Sequence, residues 1–227
     1  MANTFFITGT DTEVGKTFVT RALMQAGKEA GKQVLGYKPV ASGCELINGE
    51  LKNEDALALQ AESSIKLPYA MHNPYAFAPA IAPHIAAEQA AEPIEPARIT
   101  EGLARLKETT ADWIFVEGAG GWRLPLGQGR FLSDWVKKEH IPVILVVGAR
   151  LGGINHALLT LEAIRHDGLV VAGWVLNRVD AHMSHYEENA ATLKALIKAP
   201  FLGELPRLTE EEISTAVSYI DPAPLLK

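Results

Sequence analysis

The sequence predicts an α/β fold, a mostly parallel sheet flanked by helices on both faces, from three observations. Short apolar runs alternate with longer amphipathic segments along the chain. Each run is strand-length and nearly free of charge, as expected for strands buried on both faces. The first run also passes directly into a glycine-containing turn and then a helical segment.

Taken in order, residues 4–8, 33–40, 113–117, 142–148 and 170–177 read as buried strands. Between them, residues 16–30, 96–107, 154–166 and 184–197 carry apolar side chains at helical spacing, with Gly31 and Gly168 placed as C-terminal stops. Residues 67–96 break the alternation. They hold six prolines (Pro68, Pro74, Pro79, Pro83, Pro93, Pro96), which predicts an ordered excursion that covers a site and not a linker. No internal repeat or low-complexity tract is evident, so a single domain is expected over residues 1–227, with a tail from residue 209 packing as a helix.

The 227 residues are 48% hydrophobic and 21% charged, which is enough to bury a sizeable core. A formal net charge of -6 argues against nucleic-acid binding through a general basic surface, because such binding depends on neutralising phosphates. The longest apolar runs fall far short of the ~20 residues that span a bilayer. The N-terminus lacks the basic stretch and apolar run of a signal peptide, and a lone Cys44 has no partner for an internal disulfide, so a cytoplasmic location is expected.

Gly9-Thr10-Asp11-Thr12-Glu13-Val14-Gly15-Lys16-Thr17 joins the first strand to the first helix. This context makes a Gly-Lys-Thr sequence read as a phosphate-binding loop. Five residues separate the two glycines where four are usual, so the loop is a variant. Gly15 lets the backbone approach a phosphate, and the N–H groups at the helix start face the anion. Lys16 supplies a positive charge for the outer phosphates and Thr17 a hydroxyl for Mg²⁺.

Such a metal also needs one or two carboxylates. Glu117 closes an apolar strand and precedes Gly118-Ala119-Gly120-Gly121, whose small residues let backbone amides reach an anion. Asp55, within Asn53-Glu54-Asp55-Ala56, reads equally as a metal ligand or as a first-turn acid facing a helix dipole. Lys38 ends a buried strand in Gly36-Tyr37-Lys38-Pro39-Val40-Ala41-Ser42-Gly43, a place where a cation wants an anion.

Together, the segments 9–17, 37–43, Val116-Glu117-Gly118-Ala119-Gly120-Gly121-Trp122 and Leu151-Gly152-Gly153-Ile154-Asn155-His156-Ala157 resemble the dethiobiotin synthetase family. Asn73-Pro74-Tyr75, Pro83-His84, Asp134-Trp135, Gly173-Trp174-Val175 with Asn177, and Leu202-Gly203-Glu204-Leu205-Pro206 follow in the expected order. The resemblance implies a P-loop NTPase fold and an ATP-dependent ligase that joins CO₂ to 7,8-diaminopelargonate and closes the cyclic urea of dethiobiotin. It implies Lys38 as catalytic lysine with Lys16 assisting, and Mg²⁺ held by Thr17, Asp55 and Glu117. ATP would be contacted by Glu13, Val14, Gly15, Lys16, Thr17 and Phe18 from the loop, by Asp55, and by Glu117, Gly118, Ala119 and Gly120. Its adenosine would meet Asn177, Arg178, Leu205, Pro206 and Arg207. Ser42 would contact the diamine. Gly152, Gly153, Ile154 and Asn155 would receive its carboxylate across a homodimer interface. A nucleotide-driven dimer switch of the partitioning type is the alternative; it shares the loop but carries a second lysine where this chain has Thr10 and Asp11.

His182 and His185 have metal-like spacing, yet a surface helix start fits them better. Trp113, Trp135 and Trp174 read as core, and so does Trp122, although it could line a cleft. Nothing beside Cys44 suggests an activated thiolate.

Overall fold

The computed structural model describes residues 2–226, so Met1 and Lys227 lie outside the described residues. Six strands form the main sheet: β1 (Asn3–Gly9), β2 (Val34–Tyr37), β3 (Trp113–Gly121), β4 (Val143–Gly148), β5 (Val171–Asn177) and β6 (Phe201–Leu205). Their order is β6-β5-β4-β1-β3-β2, and all neighbouring pairs are parallel. The chain steps from β1 out to β2, returns through β3, and then crosses to the other side of β1. In sheets of this kind, ligands bind beyond the C-terminal strand ends at that switch point.

Period-2 alternation sends Phe6, Leu145, Val147 and Trp174 into one core and Phe5, Ile7, Val146 and Val175 into another. Helices α3 (Pro96–Lys107), α4 (Leu132–Lys138), α5 (Gly153–His166) and α6 (Tyr186–Leu196) cover the first face through Ile99, Trp135, Leu161 and Leu193. Helix α1 (Lys16–Glu29) and α2 (Glu54–Glu62) cover the second through Val19, Leu23 and Leu59. The tail after residue 209 adds short helical turns whose Ala216, Ile220 and Leu225 join this second core. Gly31 and Gly168 end their helices with φ of 77° and 79°.

One expectation changes. Strand β6 was not foreseen, because Gly203 and Glu204 interrupt its apolar run and hide the edge strand. Residues 67–96 are ordered, as expected, and none of them lines the cavity that holds the phosphate loop. They pack against the chain on either side of Lys38 and Ser42. Tyr75–Ala76 pairs with Val40–Ala41, and Tyr75 and Phe77 are buried in the first core. The His72 carbonyl accepts from the Lys38 amide at 2.8 Å, and the Asn73 side chain donates to the Lys38 carbonyl at 2.6 Å. The proline-rich excursion is therefore a buttress for the backbone at Lys38.

Candidate active site

Sheet register brings Lys38 and Glu117 together. Tyr37 on β2 lies beside Val116 on β3, so the next residues along these parallel strands, Lys38 and Glu117, become neighbours. Glu117 in turn pairs with Ile7 of β1, just before the phosphate loop. The Lys38 ammonium donates to Glu117 Oε1 at 2.6 Å and lies 2.9 Å from Asp55 Oδ2. Thr17 donates its hydroxyl to the same Glu117 oxygen at 2.9 Å. Glu117 is fully buried and Lys38 is 4% exposed.

Burial by itself would depress the Lys38 ammonium, but the Glu117 and Asp55 carboxylates outweigh it and hold the group above its ordinary value. Burial likewise works against the Asp55 carboxylate, and Lys38, with help from Thr17, wins and holds it below its ordinary value. Lys16 is different. Burial and then the nearby Lys38 lower it to about 8, because its carboxylate neighbours do not fully compensate.

The two readings of Asp55 turn out to be compatible. It sits in the first turn of α2, where Asn53 caps the helix by accepting from the Ala56 amide at 3.2 Å, and its carboxylate still reaches Lys38. Gly15 caps α1 with φ of 79°, and a Cβ there would stand 2.2 Å from the Asn177 amide nitrogen. The position therefore admits only glycine, on both conformational and steric grounds. No side chain caps the start of α1, which leaves its amides for an anion.

A cavity of about 390 Å³ gathers these groups. Glu13, Gly15, Lys16, Thr17, Phe18, Lys38, Ser42, Asp55, Glu117, Ala119 and Gly120 all line it. Val14 and Gly118 do not: the Val14 side chain is fully buried in the core, and a Cβ on Gly118 would press on the Phe6 ring. Thr12, Ala41, Asn53, Glu54 and Glu210 line the cavity without having been predicted. Glu210 reaches it from the tail, ion-paired to Arg21 of α1. The capping box of Thr209 and Glu212 announces a helical turn there, but no local signal points to the cavity.

The donors present fit a hard divalent cation. One hydroxyl and two carboxylates converge, and Glu117 Oε2 is buried without a hydrogen-bond partner.

The remaining predicted residues form two separate groups. Asn177 pairs with Leu205, and the Arg178 amide donates to the Leu205 carbonyl at 3.0 Å, so Asn177, Arg178, Leu205, Pro206 and Arg207 cluster at the ends of β5 and β6, outside the cavity. The Asn177 amide donates to the Val14 carbonyl at 2.9 Å, a brace on the loop that sequence reasoning missed. Gly152, Gly153, Ile154 and Asn155 open α5 at the end of β4, also outside the cavity. Trp113, Trp122, Trp135 and Trp174 are all core residues, and His185 is the capping residue that starts α6.

A family model described as an AAA domain matches residues 3–212. The chain is 52% identical to the ATP-dependent dethiobiotin synthetase BioD of Tolumonas auensis over 227 residues, covering all of both chains. It is 51% identical to ATP-dependent dethiobiotin synthetase BioD 1 of Escherichia coli K12, covering 98% of this chain and 99% of that one. Among solved structures, the septum site-determining protein MinD of Pyrococcus horikoshii, complexed with Mg-ADP, aligns with a TM-score of 0.59 at 20% identity, over 97% of this chain and 87% of that one. A ParA family ATPase from Chlorobium tepidum aligns at 0.56 and 16%, over 96% and 90%. These two likenesses carry the P-loop NTPase fold alone. With relatives sharing half of all residues along the whole length, the chain belongs to the ATP-dependent dethiobiotin synthetase family.

Proposed function

We propose that this chain, working as one domain, uses ATP to join CO₂ to 7,8-diaminopelargonate and close the cyclic urea of dethiobiotin. The observation that carries the reading is the buried Lys38 ammonium, held between Glu117 and Asp55 in the cavity that Lys16, Thr17 and Ser42 also line.

The chemistry follows from charge. One substrate amine adds to CO₂ and loses a proton, giving a carbamate. A carbamate oxygen attacks the γ-phosphorus, and ADP leaves. The second amine then attacks the carbamoyl carbon, phosphate departs with the bridging oxygen, and the ring closes. Each step moves negative charge between oxygens near the phosphate loop, so positioning and charge stabilisation suffice and no side-chain nucleophile is needed. Lys38 stabilises the carbamate and the transferring phosphoryl group, and Lys16 holds the outer phosphates. Thr17, Asp55 and Glu117 would hold Mg²⁺, which neutralises phosphate charge when bound. Ser42 meets the diamine.

The carboxylate of the diamine falls to the α5 start of a second copy, through Gly152 to Asn155. In a single chain these residues lie outside the Ser42 cavity, and beside them Leu151 is 93% exposed. A homodimer, which the family resemblance implies, would bring the two groups together. Among the described residues no helix is long and apolar enough to cross a membrane. We place the enzyme in the cytoplasm, where the free, buried thiol of Cys44 suits a reducing environment.

The test supplies ATP, Mg²⁺, bicarbonate and the diamine. Phosphate release that requires the diamine, with a cyclic urea in the mass spectrum, is the expected result. Release indifferent to the diamine would instead favour a nucleotide-driven switch.

A further inference from the structure

The phosphate loop carries one residue more than usual between Gly9 and Gly15, and the added length must be held by something. Its first turn is tied to the end of β4 and the residues that follow. The Thr10 amide donates to the Val146 carbonyl at 3.0 Å, and the Gly148 amide donates to the Thr10 hydroxyl at 3.4 Å. Asp11 uses both carboxylate oxygens: Oδ1 accepts from the Thr12 amide at 2.8 Å, and Oδ2 accepts from the Arg150 guanidinium. The Asp11 carbonyl in turn accepts from the Lys16 ammonium at 3.3 Å.

Arg150 thus touches two functional elements. Its side chain holds Asp11, while its carbonyl accepts from the Gly153 amide at 2.9 Å in the first turn of α5. The Asp11–Arg150 pair is the one charge pair in the set, and both members are partly exposed, so its contribution to overall stability is small.

We propose that Arg150 is a positioning residue that braces the enlarged phosphate loop through Asp11, sets the place of Lys16, and links the nucleotide site to the start of α5. Its effect on nucleotide binding is independent of the reaction assigned above; the link to diamine binding rests on that assignment. Without the brace the Asp11 turn relaxes, Lys16 loses its carbonyl partner, and the outer phosphates are held less firmly.

A double-mutant cycle tests this, using Arg150→Gln, Asp11→Asn and the combined variant. Affinity is measured with a fluorescent non-hydrolysable ATP analogue and Mg²⁺, with no diamine present. Each single variant is expected to bind roughly three- to fivefold more weakly, the scale of one partly exposed ion pair. The combined variant should match the singles, because both act through one contact. Arg150→Lys should keep most of the affinity, and melting temperatures should stay near wild type throughout. Single variants that bind like wild type, or effects that multiply in the combined variant, would overturn the brace. In the full reaction, Arg150→Gln should also raise the KM for the diamine, and an unchanged value would remove the link to α5. Because the first arm contains no diamine, its failure is distinct from failure of the assigned reaction.

Discussion

In the cavity, Lys16, Lys38, Asp55 and Glu117 crowd together, and Lys16, Lys38 and Glu117 are more than nine-tenths buried. In the Asn177 cluster outside that cavity, the contacts run largely through backbone, and the Arg178 guanidinium lies 4.2 Å from the centre of the Tyr186 ring. The first group concentrates electrostatic energy where, in the proposed reaction, charge moves during phosphoryl transfer. The second offers shape and a few neutral hydrogen bonds. In the proposed nucleotide pose, the difference matches the needs of a triphosphate: its reacting end requires preorganised charge, and its base requires only recognition.

The contrast predicts a gradient of mutational effects. Lys38→Ala should cut turnover on the order of 10²-fold or more, the scale for one preorganised charge-stabilising group. It should also lower the melting temperature, since Glu117 is left buried without its counter-ion, at a cost of roughly 3–5 kcal/mol. Steady-state kinetics and a thermal melt read the two effects, and near wild-type turnover would remove Lys38 from the mechanism.

Glu117→Gln should weaken Mg²⁺-dependent nucleotide binding by about tenfold or more, corresponding to loss of a charge-assisted contact. A metal titration with unchanged midpoint would refute the role of this carboxylate.

At the other end, Asn177→Ala removes a neutral hydrogen bond to the Val14 carbonyl. The expected rise in KM for ATP is about fivefold, with the KM for the diamine unchanged. An effect as large as that of Lys38→Ala would erase the distinction between the two ends.

The smallest effect concerns protons. With Lys16 lowered to about 8, part of its charge is lost in the free protein above that pH. A bound triphosphate favours the charged form and draws the proton back, so nucleotide binding should take up less than one proton above pH 8. Binding enthalpies compared in buffers of different ionisation heat measure the uptake, which should vanish well below that value.

The same gradient governs how much of the molecule was legible in its sequence. Gly15, Lys16 and Thr17 lie together where the first strand's loop turns into α1, so local pattern singled them out. Lys38 and Glu117 each end a readable strand, yet their contact depends on β2 and β3 being neighbours, which is a property of the sheet. Asp55 stayed ambiguous because one side chain serves a helix start and the charge cluster together. Glu210 was invisible, since only packing of the tail on α1 brings it to the cavity. The strand β6 escaped because a glycine and an acid break its apolar run. The prolines of residues 67–96 implied order, but they fix backbone angles and say nothing about the contacts with Lys38 and Gly43 that the segment makes.

The central claim is that the γ-phosphoryl group is transferred to a carbamate oxygen beside Lys38. Turnover with ¹⁸O-labelled bicarbonate in unlabelled water tests it directly, because the bridging oxygen must leave with phosphate when the ring closes. The account predicts released phosphate carrying one labelled oxygen; phosphate without label, formed alongside the cyclic urea, would contradict it.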